Sequence, residues 1–390
     1  MKKFFFIIWA NPKFYQTLVF LSKYLSINNY KIYILHRKIR KNKDFIGRLD
    51  FGHKAKFLYC PIDFKFFPTS VNYVIFILFV VFAFFLINPS KVILFNRYAL
   101  LSSLFISIFK KKNVHFFYHN FDFDNPNKIK SFKQKFISIL EKRVLKNINF
   151  LVFPSNKRAL LYKKFFNVVC KQIFTLQNCF PKNFKIKNDE KFKIFLKKNN
   201  LLKKKIICRL GTIGPDHFID KIVESAKYVS KDTIFVFGGT VVNNFDKKIL
   251  KKIKKLKLNN KIFIFTNISN SLWFQILKCS KIGLCFYKET NLSHRNMAGT
   301  STKFNNYLMA NIPMIVNKNS DFLNFKKKLD LFETVNPYKP RQIANKINFI
   351  IKNKKRYMKI KYNQRKAFLK TMNFEHQFNN SYGAIINKQF

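Results

Sequence analysis

"IICRLGTIGPDHFIDKIVESAKYV", Ile206 to Val229, carries a strand, a turn and a helix start in one line. The apolar run Ile206–Leu210 meets Gly211-Thr212-Ile213-Gly214, and Pro215-Asp216 then opens a helical pattern. Proline suits the first helical turn, and aspartate suits the electropositive end of a helix. Glycines let a backbone approach a ligand closely, and the unpaired N–H groups of a helix start favour phosphate. Taken alone, such a unit is common in α/β folds and most copies bind nothing. Here it recurs: in "FVFGGTV" the pair Gly238-Gly239 closes a second strand, at the sheet edge where such folds place ligands.

Working outward, further apolar runs of strand length follow at Ile234–Phe237, Ile262–Phe265, Ile282–Phe286 and Pro313–Val316. The first half shows the same rhythm at Phe4–Trp9, Lys31–Leu35, Val92–Phe95, Val114–Tyr118 and Phe150–Phe153, with helix-like segments such as Tyr15–Ser26 and Ser131–Leu145 between them. Near-continuous apolar strands alternating with helices indicate parallel sheets covered on both faces. A very basic stretch, Lys182–Lys205, separates the two series. The expectation is two α/β domains joined near residues 180–205, which suits a chain of 390 residues.

Hydrophobic residues make up 48% of the chain and aromatics 18%, enough for a substantial core. The 75 basic and 18 acidic residues leave a net charge of +57, a field that attracts nucleic acid, anionic membranes or phosphorylated small molecules. Phe, Asn and Ile are abundant too and share A/T-rich codons with Lys, so the charge is discounted as a sign of a polyanion partner. No RRM, KH or zinc signature supports nucleic acid. The six cysteines are scattered without a CxxC pair, which reads as reduced thiols in a cytoplasmic protein. "MKKFFFIIWANPKF" imitates a signal peptide but lacks a small-residue cleavage site, and a buried first strand is expected instead.

"VIFILFVVFAFFLI", Val74 to Ile87, is the most apolar segment. It falls short of the ~17–25 residues of a spanning helix, and counting from Val71 brings it only to that lower limit. A core-facing helix and a helix dipping into one leaflet both remain open. A transmembrane span ranks third, because strand-like sequence continues on either side.

"STKFNNYLMANIPMIV", Ser301 to Val316, is a second candidate anion site. Gly299-Thr300-Ser301-Thr302 offers hydroxyls and backbone donors at a helix start, and Lys303 adds a charge. Phe304, Tyr307 and Leu308 share one face, Asn311 suits a left-handed helix end, and Pro313 stops continuation. An ordinary capped helix is the equal alternative. His294 and Arg295 just upstream can reach an anion or belong to a plain exposed loop. His119 follows an apolar strand and belongs at a sheet edge, as a ligand contact or as a half-buried loop cap. Asp122 and Asp124 are acceptor contacts or solvated acids. "DKKILKKIKKLKL", Asp246–Leu258, reads first as a solvated helix face.

In this order the segments resemble GT-B glycosyltransferases, particularly the family-4-like enzymes of cell-surface polysaccharide synthesis. Lys303, Tyr307, Ala310, Pro313 and Ile315 match the characteristic second-domain segment, and "NFEHQFNNSYGAI" is similar to the closing helix. "NPSKVILFN", "VHFFYHNFD" and "LEKRVLKNINFLVFPSNKRALLYKKFF" resemble first-domain motifs. There are departures. Asn306 stands where the family has a ribose-binding Glu, Thr212 and His217 where it has Arg and Lys, and Asn311 where it has Gly; the turn in "WANPKF" has no Gly-Gly.

The resemblance implies a GT-B fold of two Rossmann-like, doubly wound parallel-sheet domains facing a cleft. It places an acceptor domain at 1–185, a nucleotide-sugar domain at 186–355, and helices over 356–390 that pack back toward the first domain. It also implies a retaining, metal-independent transfer from a nucleotide-diphosphate sugar to a lipid-linked or cell-surface saccharide. His119 is the implied catalytic residue. The implied donor-binding residues are Gly211, Thr212, Gly214, His217, Gly239, Arg295, Ser301, Thr302, Lys303 and Asn306. No cofactor and no nucleic-acid partner are expected, and the site of work is the cytoplasm or the inner membrane face. The rivals are a non-catalytic membrane-anchored or degenerate GT-B protein, a GT-B sugar epimerase, and a nucleic-acid binder.

Overall fold

A computed structural model describes residues 2–12, 15–37, 50–60, 68–109, 114–122, 131–168, 172–185 and 190–387. Of the positions singled out above, Lys13, Phe14, Asp124 and Cys170 lie outside these residues. The chain forms two compact units: Met1–Asn178 with Phe374–Phe390, and Cys179–Asn373.

The first unit holds seven parallel strands: β1 (Lys3–Ile8), β2 (Lys31–Arg37), β3 (Ala55–Cys60), β4 (Lys91–Phe95), β5 (His115–His119), β6 (Phe150–Phe153) and β7 (Gln172–Thr175). Helices α1 (Gln16–Ile27), α2 (Thr69–Ile87), α3 (Asn96–Ile108), α4 (Phe132–Leu145) and α5 (Asn156–Phe166) connect them. The strand order is 3-2-1-4-5-6-7. The chain starts at the centre, winds out to β3, then returns beside β1 and winds the other way. Parallel pairing demands that both faces be covered, and β1 and β4 are accordingly buried almost throughout. In α2 a single stripe, including Phe76, Val80 and Phe84, packs inward, and Asn88 at φ 47° ends the helix in the left-handed conformation.

The second unit repeats the design with six strands: β8 (Lys205–Leu210), β9 (Thr233–Gly239), β10 (Ile262–Thr266), β11 (Ser280–Cys285), β12 (Met314–Asn317) and β13 (Phe332–Val335). Its order is 10-9-8-11-12-13, so the reversal falls between β8 and β11. Its helices are α6 (Lys191–Lys198), α7 (Ile219–Ser225), α8 (Phe245–Lys255), α9 (Asn270–Cys279), α10 (Leu292–Arg295), α11 (Thr302–Met309), α12 (Ser320–Lys328), α13 (Pro340–Lys352) and α14 (Lys354–Lys370). The basic segment around α8 buries Ile249 and Ile253 and turns most of its lysines outward. Two doubly wound parallel sheets are therefore present, as the sequence pattern indicates.

The unit boundaries differ from the sequence-based 185/186 and 355/356. Helix α14 belongs to the second unit because Arg356 clasps Asp330 and reaches Glu333 at 2.6 Å. Gln364, fully buried, donates to the carbonyls of Ile312 (3.1 Å) and Leu331 (2.8 Å). Only the segment after Asn373 joins the first unit. There Phe374 and Phe378 pack against Tyr24, and Tyr382 stacks on Phe117.

Replacing Gln364 with Leu strands two buried carbonyls, so Gln364→Leu should destabilise the protein by about 1–3 kcal/mol. Urea unfolding checks this, and a midpoint equal to wild type would contradict it.

Candidate functional site

The second unit gathers its charge at the carboxyl end of β8. An arginine inside the apolar run "IICRL" would be expected to escape to solvent, yet Arg209 is 0% exposed. One Nη donates to the carbonyl of Thr212, while its Nε and other Nη find no partner. Gly211 follows at φ 125°, and a methyl group there would lie 3.0 Å from Lys303 Cδ and 3.3 Å from Lys303 Nζ. The lysine therefore lies across the glycine. Its Nζ sits 4.3 Å from the centre of the Tyr287 ring, and the residue is 7% exposed.

Among the described residues no carboxylate pairs with Arg209 or Lys303. Burial, with Arg209 beside it, holds the Lys303 amine well below the usual lysine range. Burial likewise lowers Arg209. His217, on the short turn Pro215–His217, packs edge-on to Tyr287 at 5.4 Å, and its Nδ1 is buried without a partner. Burial and the charges of Lys303, Arg209 and His294 keep its imidazole neutral. Two buried basic groups and a neutral imidazole, with no counter-charge among the described residues, form a site that an anion would complete.

The remaining sequence candidates take distinct places. Gly239 stands at φ 146°, where a methyl group would meet the carbonyl oxygen of Gly211 at 1.9 Å. Its bareness serves this backbone contact, which seats the Gly211 turn. Gly214 is extended, and its nearest neighbour is Val242 at 3.6 Å. Ser301 caps α11: its Oγ accepts from Phe304 N at 3.3 Å and meets Tyr287 Oη at 2.5 Å. Thr212 and Thr302 are exposed. Arg295 is exposed too, with its Nε donating to the Glu289 carbonyl at 3.3 Å. Asn306 is buried. In the amide orientation that satisfies both neighbours it donates to the Thr302 carbonyl and accepts from Trp273 Nε1, each at 3.1 Å.

In the first unit His119 ends β5, directly beside Phe95 of β4. It is a fully buried residue instead of a half-buried loop cap, because Phe95 and Phe121 stack on its ring at 5.4 and 4.4 Å. Tyr382 Oη lies 3.4 Å from its Nδ1, and Nε2 has no partner. Burial pushes its pKa down to about 3, so the imidazole is neutral and offers a single unused nitrogen. Asp122 pairs with Arg158 at 3.1 Å.

The structure brings Lys303, His217 and the Gly211 turn, singled out from the sequence, together with Arg209, which the sequence reading did not single out. The available signal was a charged residue inside a run that has to be buried.

No family model matches the chain, and no curated protein matches it by sequence. Solved structures match in fold. HepE of Anabaena, crystallised with UDP and glucose, superposes with a TM-score of 0.76 at 11% identity, covering 100% of both chains. Sucrose-phosphate synthase from Thermosynechococcus elongatus gives 0.75 at 11% identity, covering 100% of this chain and 99% of that one. A glycosyltransferase from Rickettsia africae gives 0.70 at 16% identity, covering 100% and 98%. The fold is that of the GT-B glycosyltransferases.

Two outcomes follow. The unfolded chain, with a lysine pKa of about 10.4, binds a proton that folded Lys303 resists, so stability rises with pH up to about that value. Lys303→Met should flatten this rise and leave the ligand-free protein at least as stable as wild type at pH 7, as read by thermal melts across pH. Gly239→Ala should cost about 3 kcal/mol or more, through strain and the clash with Gly211, while Gly214→Ala stays within about 1 kcal/mol. Equal losses in denaturant midpoints would contradict the backbone-contact role.

Proposed function

We propose that this protein is a GT-B glycosyltransferase that moves a sugar from a nucleotide-diphosphate sugar to a lipid-linked or cell-surface saccharide at the inner face of the membrane. The single observation that carries the reading is the Arg209–Lys303 pair, buried at the switch point of the second sheet without a carboxylate among the described residues. A diphosphate supplies the missing charge. Breaking the bond from sugar to phosphate builds negative charge on the leaving group, and fixed cations in a water-poor pocket stabilise that charge more than they stabilise the ground state.

Lys303 and Arg209 act on the pyrophosphate oxygens in this reading, and His217 donates or accepts as a neutral group beside them. The charges come from the chain, so the transfer proceeds without a metal. His119 is the proposed catalytic residue, holding a hydroxyl of the transferred sugar through its unused Nε2. The anomeric configuration is retained, with the acceptor hydroxyl entering on the leaving-group side. A neutral imidazole whose protonation is opposed by burial suits positioning better than proton abstraction.

A thermal-shift screen with UDP-, GDP-, ADP- and CMP-sugars in the presence of EDTA tests this. One nucleotide sugar should raise the melting temperature, and Lys303→Ala should weaken its binding at least tenfold. His119→Ala should keep donor binding and lower transfer by about 100-fold, the size typical of losing a placed transition-state contact. If no nucleotide sugar stabilises the protein, or Lys303→Ala binds as wild type, the reading fails.

A further inference from the structure

The face formed by α2, α3 and α4 is the strongest feature that the proposed chemistry leaves unused. No charged residue occurs in α2, and while one stripe packs inward, Leu78 (64% exposed), Phe82 and Leu86 (72%) stand outside. The apolar surface continues onto α3 through Ile108 (74%), and the Phe85 and Phe109 rings meet at 5.2 Å to join the two helices. Arg97 Nη1 donates to Gln134 at 3.2 Å, tying α3 to α4, and Asn147, just past the end of α4, donates to Ser107 of α3 at 2.9 Å. On α4 the exposed residues alternate in kind: Phe132 (84%), Phe136 and Ile139 share the outer side with Lys135, Lys142 and Arg143.

An uncharged apolar helix beside a helix of mixed aromatic and basic residues matches the two layers of a bilayer surface, acyl chains and anionic headgroups. We infer that the α2–α3–α4 face docks the first unit in the interfacial plane of an anionic lipid bilayer, without spanning it. A second copy of the chain fits worse, because each copy carries +57 and the dimer would bring like charge to like charge. A span fits worse as well. Phe76, Val80, Ala83, Phe84 and Ile87 pack inward in the first unit, and β4 starts only a few residues after the helix ends. The inference stands independently of the transferase reading.

Cosedimentation of the full chain with vesicles tests it, using phosphatidylglycerol mixed into phosphatidylcholine against phosphatidylcholine alone. Wild type should bind the anionic vesicles and lose at least tenfold in partitioning between low and high salt. Phe82→Ser with Leu86→Ser should cut binding at least tenfold while circular dichroism stays unchanged. Should that pair fail to fold, Lys142→Glu with Arg143→Glu provides the second test, and it should abolish the preference for anionic vesicles. Four results would overturn the inference: no vesicle binding by wild type at low salt, binding unaffected by either pair, a dimer in analytical ultracentrifugation that the serine pair dissolves, or vesicle-bound protein that resists extraction by alkali.

Discussion

Two basic side chains, Arg209 and Lys303, are held out of water at the end of β8 with no carboxylate among the described residues to pair with them, and the local architecture around β8 follows from that. Arg209 cannot leave, because it is rooted in a central strand and its guanidinium is tied to the carbonyl of Thr212. Lys303 lies over Gly211, whose φ of 125° favours glycine and where a methyl group would come within 3.0 Å of the lysine's Cδ. Gly211 in turn keeps its place because Gly239 presents no side chain to its carbonyl. Adding bulk at either glycine would press on the same pocket, which couples backbone geometry to charge placement.

The first unit handles buried charge differently. Arg97 meets Glu141 at 2.7 Å, and that carboxylate also accepts from Tyr162 at 2.7 Å and from Tyr118 at 3.2 Å. Arg158 has Asp122. These cations are paired with carboxylates, and such buried pairs are costly to break. At its sheet edge the first unit leaves His119 Nε2, Asn120 Oδ1 and the guanidinium nitrogen Arg97 Nη2 without a hydrogen-bond partner. One sheet architecture, used twice, thus holds Arg209 and Lys303 without a carboxylate among the described residues in one unit, and pairs Arg97 with Glu141 and Arg158 with Asp122 in the other.

Burial explains which strands could be read in advance. The central strands β1, β4, β5 and β8 are packed on both faces, so their sequences are apolar runs that announce themselves. The elements that escaped notice, β3, β7 and β13, all lie at sheet edges. An edge strand shields less surface and tolerates a mixed composition, as "QIFT" and "FETV" show. The helix Thr69–Ile87 was legible as apolar, but its hydropathy did not say which side packs inward.

The sequence by itself determined the two-fold recurrence of α/β units, the strand–glycine–helix turns and the helix start at Ser301, because these are set by local periodicity and by backbone chemistry. Tertiary structure decided which charges would be left without partners. Arg209 and Lys303 stand 94 positions apart (303 − 209) and acquire meaning only when β8 and α11 are packed together. His119 is a neutral, covered imidazole because Phe95, Phe121 and, from the tail of the chain, Tyr382 close over it. Electrostatic environment is a property of neighbours in space, and a linear reading of residues does not contain it.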